Sequence, residues 1–313
     1  MVKIILASFL FCASALAFEP IGQPITIITG FAPGATDQAL KPYTDALVAS
    51  GYPVVVERRP GAGGMIALNH FANTSPADGF TLFATASSMF TIAPLFTPEI
   101  ITHKGVSPIT TLSAGPIVLV ASKESSIKTF DDFKKVVQQN TTPPIAVPTL
   151  FFQASAEYIA TKINKNATIS TVMYKSGADA LRDVVGGHAQ LGVMQLSILA
   201  PMLDSDKIIV LAISGEQRLE TLTSVPTFAE KIKGINPRIE ASWGIALPKG
   251  ASLEIQKFYN DFFLRVAQQE STKKTLASYH MIIPKTYLGK EAFDKRIAEE
   301  TEMWSSVLYR IPK

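Results

Sequence analysis

Apolar positions along the chain fall into short, nearly continuous runs that alternate with stretches where they return every three or four residues. The short runs, rich in Val, Ile and Thr and bounded by Gly, Pro or Asn, predict strands at 25–29, 53–57, 80–86, 116–121, 144–148, 170–174, 191–195, 207–213 and 242–247. The helical spacing predicts helices at 36–50, 64–74, 129–139, 152–163, 176–186, 226–232, 252–270 and 289–308. Strands and helices in this alternation predict an α/β fold. In the first helix Ala39, Leu40, Tyr43 and Leu47 share one face, Thr36 or Asp37 is the expected cap, and Gly51 is the expected stop. Pro42 removes one hydrogen bond within it and predicts a kink. Two late helices carry the faces Leu253, Phe258, Phe262, Val266 and Phe293, Ile297, Met303, Trp304, spacings that predict packing.

Two turns stand out against this pattern. Gly30-Phe31-Ala32-Pro33-Gly34-Ala35-Thr36-Asp37 joins the first strand to the first helix, and Arg58-Arg59-Pro60-Gly61-Ala62-Gly63-Gly64 follows the second strand. A strand, a tight turn and a helix start leave backbone N–H groups unpaired, and the helix dipole makes such a place attractive to an anion such as a carboxylate. No Gly/Ser tether interrupts the chain, so two domains would be joined by crossing strands, with Ile117–Val120 and Ser242–Leu247 as the candidates.

Composition narrows the classes. Met1-Val2-Lys3, the apolar run Ile4 to Phe11 and Ala15-Leu16-Ala17 read as a cleavable secretory signal over 1–17, and Phe11 before Cys12 is the wrong size for a lipid-acceptor site. Its removal takes away the single cysteine, which leaves no disulfide and no thiol chemistry and requires a large core. A net charge of +3 spread over 313 residues offers no basic stripe for nucleic acid. The sequons at Asn73, Asn140 and Asn166 matter only in a eukaryotic secretory pathway, and the short signal fits bacterial export. His70, His103, His188 and His280 are isolated, so no metal site is expected. There is no G-x-S-x-G elbow and no phosphate-binding G-x-x-x-x-G-K run, and the glycines at 61 and 63 meet Ile66 where a dinucleotide fingerprint needs glycine. The neighbouring acids Asp131-Asp132 and Glu299-Glu300 sit on helical surfaces. Every common catalytic class fails together, which favours binding over catalysis; no cofactor is expected.

With these residues in hand, the chain resembles the Bug family, periplasmic solute receptors of tripartite tricarboxylate transporters. The resemblance runs along essentially all of the chain after residue 17. It rests on Pro24 to Asp37, on Val54 to Gly64 with Arg58 where the family has Asn, and on Ala77 to Leu82. It continues through Tyr174 to Gly187, Val225 to Glu230, and Trp243-Gly244. The resemblance implies a two-lobed periplasmic binding protein of the type II, Venus-flytrap kind, with a central mixed sheet in each lobe. Lobe 1 would take 18–120 plus 241–313, and lobe 2 would take 121–240.

The implied function is capture of a small organic carboxylate in the periplasm and its delivery to membrane transporter subunits, by a monomer. Alternatives are an orphan receptor for a sensor protein and a secreted hydrolase. The implied ligand contacts are Phe31, Ala32, Pro33, Gly34, Ala35, Thr36 and Asp37 in the first loop, and Ala86, Ser87 and Ser88 after the third strand. In the other lobe they are Thr149, Phe152, Gln153, Tyr174, Ser176, Gly177, Ala178 and Gln195. Asp37 is equally a helix cap. Leu150, Phe151 and Phe152 replace a polar loop of the family, which points either to a less polar pocket wall or to packing beneath the following helix. Gln195 stands where the family often has Asp, which disfavours a ligand ammonium.

Overall fold

The computed structural model describes residues 18–96, 105–284 and 288–308; the expected signal over 1–17 and His103 lie outside them. The described chain begins with β1 (Ile25–Thr29), α1 (Ala35–Ala49), β2 (Val54–Arg58), α2 (Met65–Thr74) and β3 (Thr81–Ala86). The single-turn helices α3 (Ser88–Thr91) and α4 (Ala93–Phe96) precede the long β4 (Val106–Ser122). Then come α5 (Phe130–Gln138), β5 (Ile145–Val147), α6 (Leu150–Ile163), β6 (Thr171–Met173) and α7 (Gly177–Val185). β7 (Leu191–Gln195), α8 (Leu196–Leu199), β8 (Ile208–Ile213) and α9 (Phe228–Lys231) follow. β9 (Glu240–Pro248), α10 (Leu253–Gln268), α11 (Glu270–Ser278) and α12 (Lys290–Leu308) complete it.

The strands form two mixed sheets that share β4, the sheets of two α/β lobes. In the first, the order β2-β1-β3-β9-β4 has β1, β2 and β3 parallel and β9 antiparallel to both β3 and β4. In the second, β8 and β7 flank β4 antiparallel, and β7, β5 and β6 run parallel to one another. β4 changes partners between Pro116, opposite Glu240 of β9, and Ile117, opposite Gln195 of β7.

The expected strands all appear within a residue or two except β4, which starts ten residues earlier than its apolar run. Its first half, Val106 to Pro116, is interrupted by Pro108, Ser107, Ser113, Gly115 and Pro116, which break the apolar run that marks a strand. Pairing with β9 overrides that composition, because this half of β4 is a sheet edge and the ladder shifts register between Pro108 and Thr110 and between Thr111 and Ser113. The helix expected at 252–270 ends at Gln268, and α11 follows from Glu270.

Helix faces follow periodicity with one correction. Ala39, Leu40, Tyr43 and Leu47 of α1 are buried, as are Phe293, Ile297 and Trp304 of α12. Leu253, expected in the α10 face, is 78% exposed; Ile255, Tyr259, Phe262, Phe263 and Val266 form the buried face instead. Leu253 is the first residue of α10, two residues and so about half a turn ahead of Ile255, on the opposite side of the helix from that stripe. Pro42 lies inside α1 without ending it. The cap of α1 is Gly34, not Thr36 or Asp37. Asp37 is the third helical residue, and its Oδ2 accepts the Gly34 N–H at 2.8 Å.

The first two turns are locked together. A Cβ on Gly30 would stand 2.5 Å from Cα and 2.8 Å from the carbonyl oxygen of Gly64, both backbone atoms. Gly30→Ala is therefore expected to destabilise by about 1–3 kcal/mol, read from the urea midpoint, since backbone cannot rotate away as a side chain can. An unchanged midpoint would show that the two turns separate freely.

Candidate site at the strand ends

In α/β sheets, ligands meet the carboxyl ends of the strands. The candidate residues of the first lobe lie there, in the β1–α1 and β3–α3 connections. Among the described residues, the N–H groups of Phe31, Ala32, Ala35 and Thr36 have no hydrogen-bond partner, while those of Asp37 and Gln38 bond Gly34 O. Four free donors thus surround the start of a 15-residue helix, whose dipole adds positive potential. Ala32, Pro33 and Gly34 are exposed, Ala35 is half-buried, and Thr36 is buried. The Phe31 ring packs against Gly64 instead of standing free. Asp37 is occupied twice, by the Gly34 N–H and by an ion pair with Arg58.

Ala86 pairs with Trp243 of β9. Ser87 is tied to Ser242 of the same strand through its backbone N–H, at 2.9 Å, and through a hydrogen bond between the two hydroxyls. Ser88 opens α3 and is half-buried.

The second lobe repeats the arrangement twice. Thr149 caps α6 through its backbone only, accepting from Phe152 and Gln153; the N–H groups of Leu150 and Phe151 are unpaired, and the first turn has no acidic residue. Ser176 caps α7, its Oγ accepting from Asp179 N at 3.1 Å and donating to Asp179 Oδ2 at 2.8 Å, with the Gly177 and Ala178 N–H groups unpaired. That hydroxyl, more than the nearby Arg182, holds the Asp179 carboxyl below its ordinary pKa. Tyr174 donates to Asp183 Oδ2 at 2.9 Å, and burial, then that carboxylate, raises the phenol pKa. Gln153 lines a groove of about 610 Å³ with Glu157 and residues 166–171, the segment that leads into β6.

Phe151 and Phe152 pack. Their rings meet edge-on at 5.1 Å, and Phe151 meets Trp304 of α12 at 5.7 Å. Of the two readings of this segment, the geometry takes the one in which the rings are core. Gln195, last residue of β7, is 1% exposed, and its Nε2 has no hydrogen-bond partner among the described residues.

The sequence did not assign Arg58, Gly115, Trp243 and Trp304 to their partners. Arg58 had a visible signal, its departure from the resembled motif, but nothing local assigns it to Asp37. Gly115, Trp243 and Trp304 meet their partners only through long-range pairing. A further cluster lies where β9 leaves the second lobe: Arg296, buried in α12, bonds Glu300 Oε1 at 2.5 Å, and Thr91 of α3 donates to Glu300 Oε2 at 3.4 Å.

Burial raises the pKa of the nearby Glu240, although Arg296 and Arg238 pull it down. A raised folded value means that the native state holds this proton more tightly than the unfolded chain. Its favourable contribution is then present below the ordinary glutamate range and is lost as pH rises through the folded value. Glu240→Gln is accordingly expected to gain in urea midpoint over the parent between pH 4 and pH 7; a parent advantage that grows with pH would mean that the arginines outweigh burial.

Among the described residues no helix is long and apolar enough to cross a membrane, and no group of three His, Cys, Asp or Glu gathers for a metal. Residues 44–311 match the model of the tripartite tricarboxylate transporter family receptor, a match that begins after the first loop. Protein BugT of Bordetella pertussis is 26% identical over 324 residues, covering 98% of this chain and 97% of the relative. MatC from Rhodopseudomonas palustris, solved with bound malate, has a TM-score of 0.78 at 22% identity, over 91% of this chain and 98% of MatC. A second R. palustris protein, solved with adipate, has a TM-score of 0.79 at 21% identity, over 92% of this chain and 96% of its own.

Proposed function

The chain belongs to the tripartite tricarboxylate transporter receptor family, and from that premise we propose that it is a periplasmic receptor that captures a small organic carboxylate and delivers it to a membrane transporter. The observation that carries the reading is the set of unpaired N–H groups at Phe31, Ala32, Ala35 and Thr36, answered in the other lobe by those at Leu150, Phe151, Gly177 and Ala178. A buried carboxylate needs several converging donors, each charge-assisted bond contributing about 1.5–3 kcal/mol. Closure of the lobes around it excludes water and strengthens those bonds. A ligand that favours the closed form then presents the transporter with a distinct surface.

We place the hinge where β4 passes from Pro116 to Ile117 and where the chain returns at Ile239 to Glu240, four residues before the 120/121 boundary expected from the sequence and beside the one expected at 240/241. The receptor acts as a monomer, and no reaction and no cofactor are assigned to it.

Thermal melting against a carboxylate panel beginning with malate and adipate tests the reading. A true ligand at 100 times its Kd stabilises by about 2.7 kcal/mol. Failure of every acid in a broad panel to raise the melting temperature would overturn it.

A further inference from the structure

We propose that Arg58 sets the charge preference of the first loop: by cancelling Asp37, it lets the loop take a carboxylate over the uncharged amide of the same acid. This rests on the carboxylate-receptor reading and adds to it the residue that decides between anion and neutral solute.

The start of α1 already holds an anion of its own. Asp37, third residue of the helix, turns its carboxylate back onto the Gly34 N–H, which it accepts at 2.8 Å. That carboxylate sits on the same helix end as the unpaired N–H groups of Ala35 and Thr36. A helix end carries only about half a unit of positive charge. A solute carboxylate brought beside a bare aspartate would be repelled by a full unit. Without an answer to that charge, the turn would favour no anion.

The answer comes from the neighbouring strand. Arg58 ends β2 in register with Thr29, the residue that leads into the loop, and the next N–H, of Arg59, bonds the Thr29 carbonyl at 2.9 Å. The Arg58 guanidinium pairs through Nη2 with Oδ1 of Asp37, the oxygen not used by Gly34. Its Nε is buried with no hydrogen-bond partner among the described residues, so the contact with Asp37 holds the group in place. The close approach of Gly30 and Gly64 fixes the two turns that carry the pair.

The other charges of α1 and β2 pair off separately, Arg59 with Glu57 at 2.5 Å and Lys41 with Asp45 at 2.9 Å. The Arg58–Asp37 pair itself is about one-third exposed on each side, and such a pair adds little to stability. What its charge changes is the potential felt by a solute at the start of α1.

The test is titration calorimetry on the chain without its first 17 residues, at low and at high salt. The probes are the acids of the thermal panel, malate and adipate first, each beside its neutral amide. Arg58→Met is expected to weaken the acids roughly 10- to 100-fold at low salt and less at high salt, with the amides unmoved. Arg58→Lys, which keeps the charge, should retain most of the parent's preference. Adding Asp37→Asn to Arg58→Met should bring the acids back to near-parental affinity, because asparagine still accepts the Gly34 N–H and carries no charge. Free Arg58→Met is expected to melt within about 4 °C of the parent.

If Arg58→Met keeps the parent's affinity for the acids at both salt concentrations, the inference fails and the carboxylate reading stands. It also fails if Asp37→Asn does not rescue the acids, or if acids and amides are lost together, which would make Arg58 a support for the turn alone. If no acid of the panel binds the parent, the carboxylate reading fails and takes this inference with it.

Discussion

Ala35→Pro is expected to weaken carboxylate binding roughly 10- to 150-fold, the range that corresponds to one charge-assisted donor worth about 1.5–3 kcal/mol. The same change is expected to leave stability within about 1 kcal/mol of the parent. Ala35 is the first residue of α1, where proline is well tolerated, and its N–H has no partner among the described residues. Gly34 before it, with φ 161° and ψ −134°, lies outside the α region that proline disfavours in its predecessor. Calorimetric affinity and thermal melting, measured on the same preparation, separate the two effects. Equal losses of affinity and stability would show that the turn only supports the fold.

Trp304→Ala is expected to have the largest effect on stability, a loss of about 3–5 kcal/mol by urea denaturation, the range for truncating a large buried aromatic. Trp304 is 1% exposed and lies edge-on to both Phe151, at 5.7 Å, and Tyr158, at 6.1 Å. Its helix begins in the other lobe, where Phe293 meets Phe90 at 5.9 Å and would clash with any side chain on Gly244. α12 therefore clasps both lobes. Through Phe151 it also holds the start of α6, where two of the proposed anion donors lie. Ligand affinity should fall together with stability in Trp304→Ala, in contrast to Ala35→Pro. Trp304→Phe, which keeps a ring against Phe151, is expected to recover most of both. A Trp304→Ala protein with parental affinity would show that α6 keeps its position without the clasp.

The candidate site was legible where its chemistry is local. The Pro33-Gly34 turn, the short polar caps at Thr149 and Ser176 and the strand ends before them are written in consecutive residues, and those segments fold as helix starts. The roles of individual side chains were less legible, because burial and partners are set from a distance. Asp37 reads equally as cap or contact until Arg58 of the adjacent strand pairs with it. Phe152 reads as pocket wall or core until Phe151 is seen against a helix about 150 residues further on.

The amino-acid sequence alone determined the order of strands and helices, the α/β class and most buried faces, since side-chain spacing and turn chemistry act within a few residues. Tertiary structure decided that Val106 to Pro116 is strand, that one β-strand serves both lobes, that α12 spans them, and that Gly115 makes room for Gln195. Each of those outcomes depends on pairing or packing between segments far apart in the chain, where the free energy of burial and ladder formation overrides local preference.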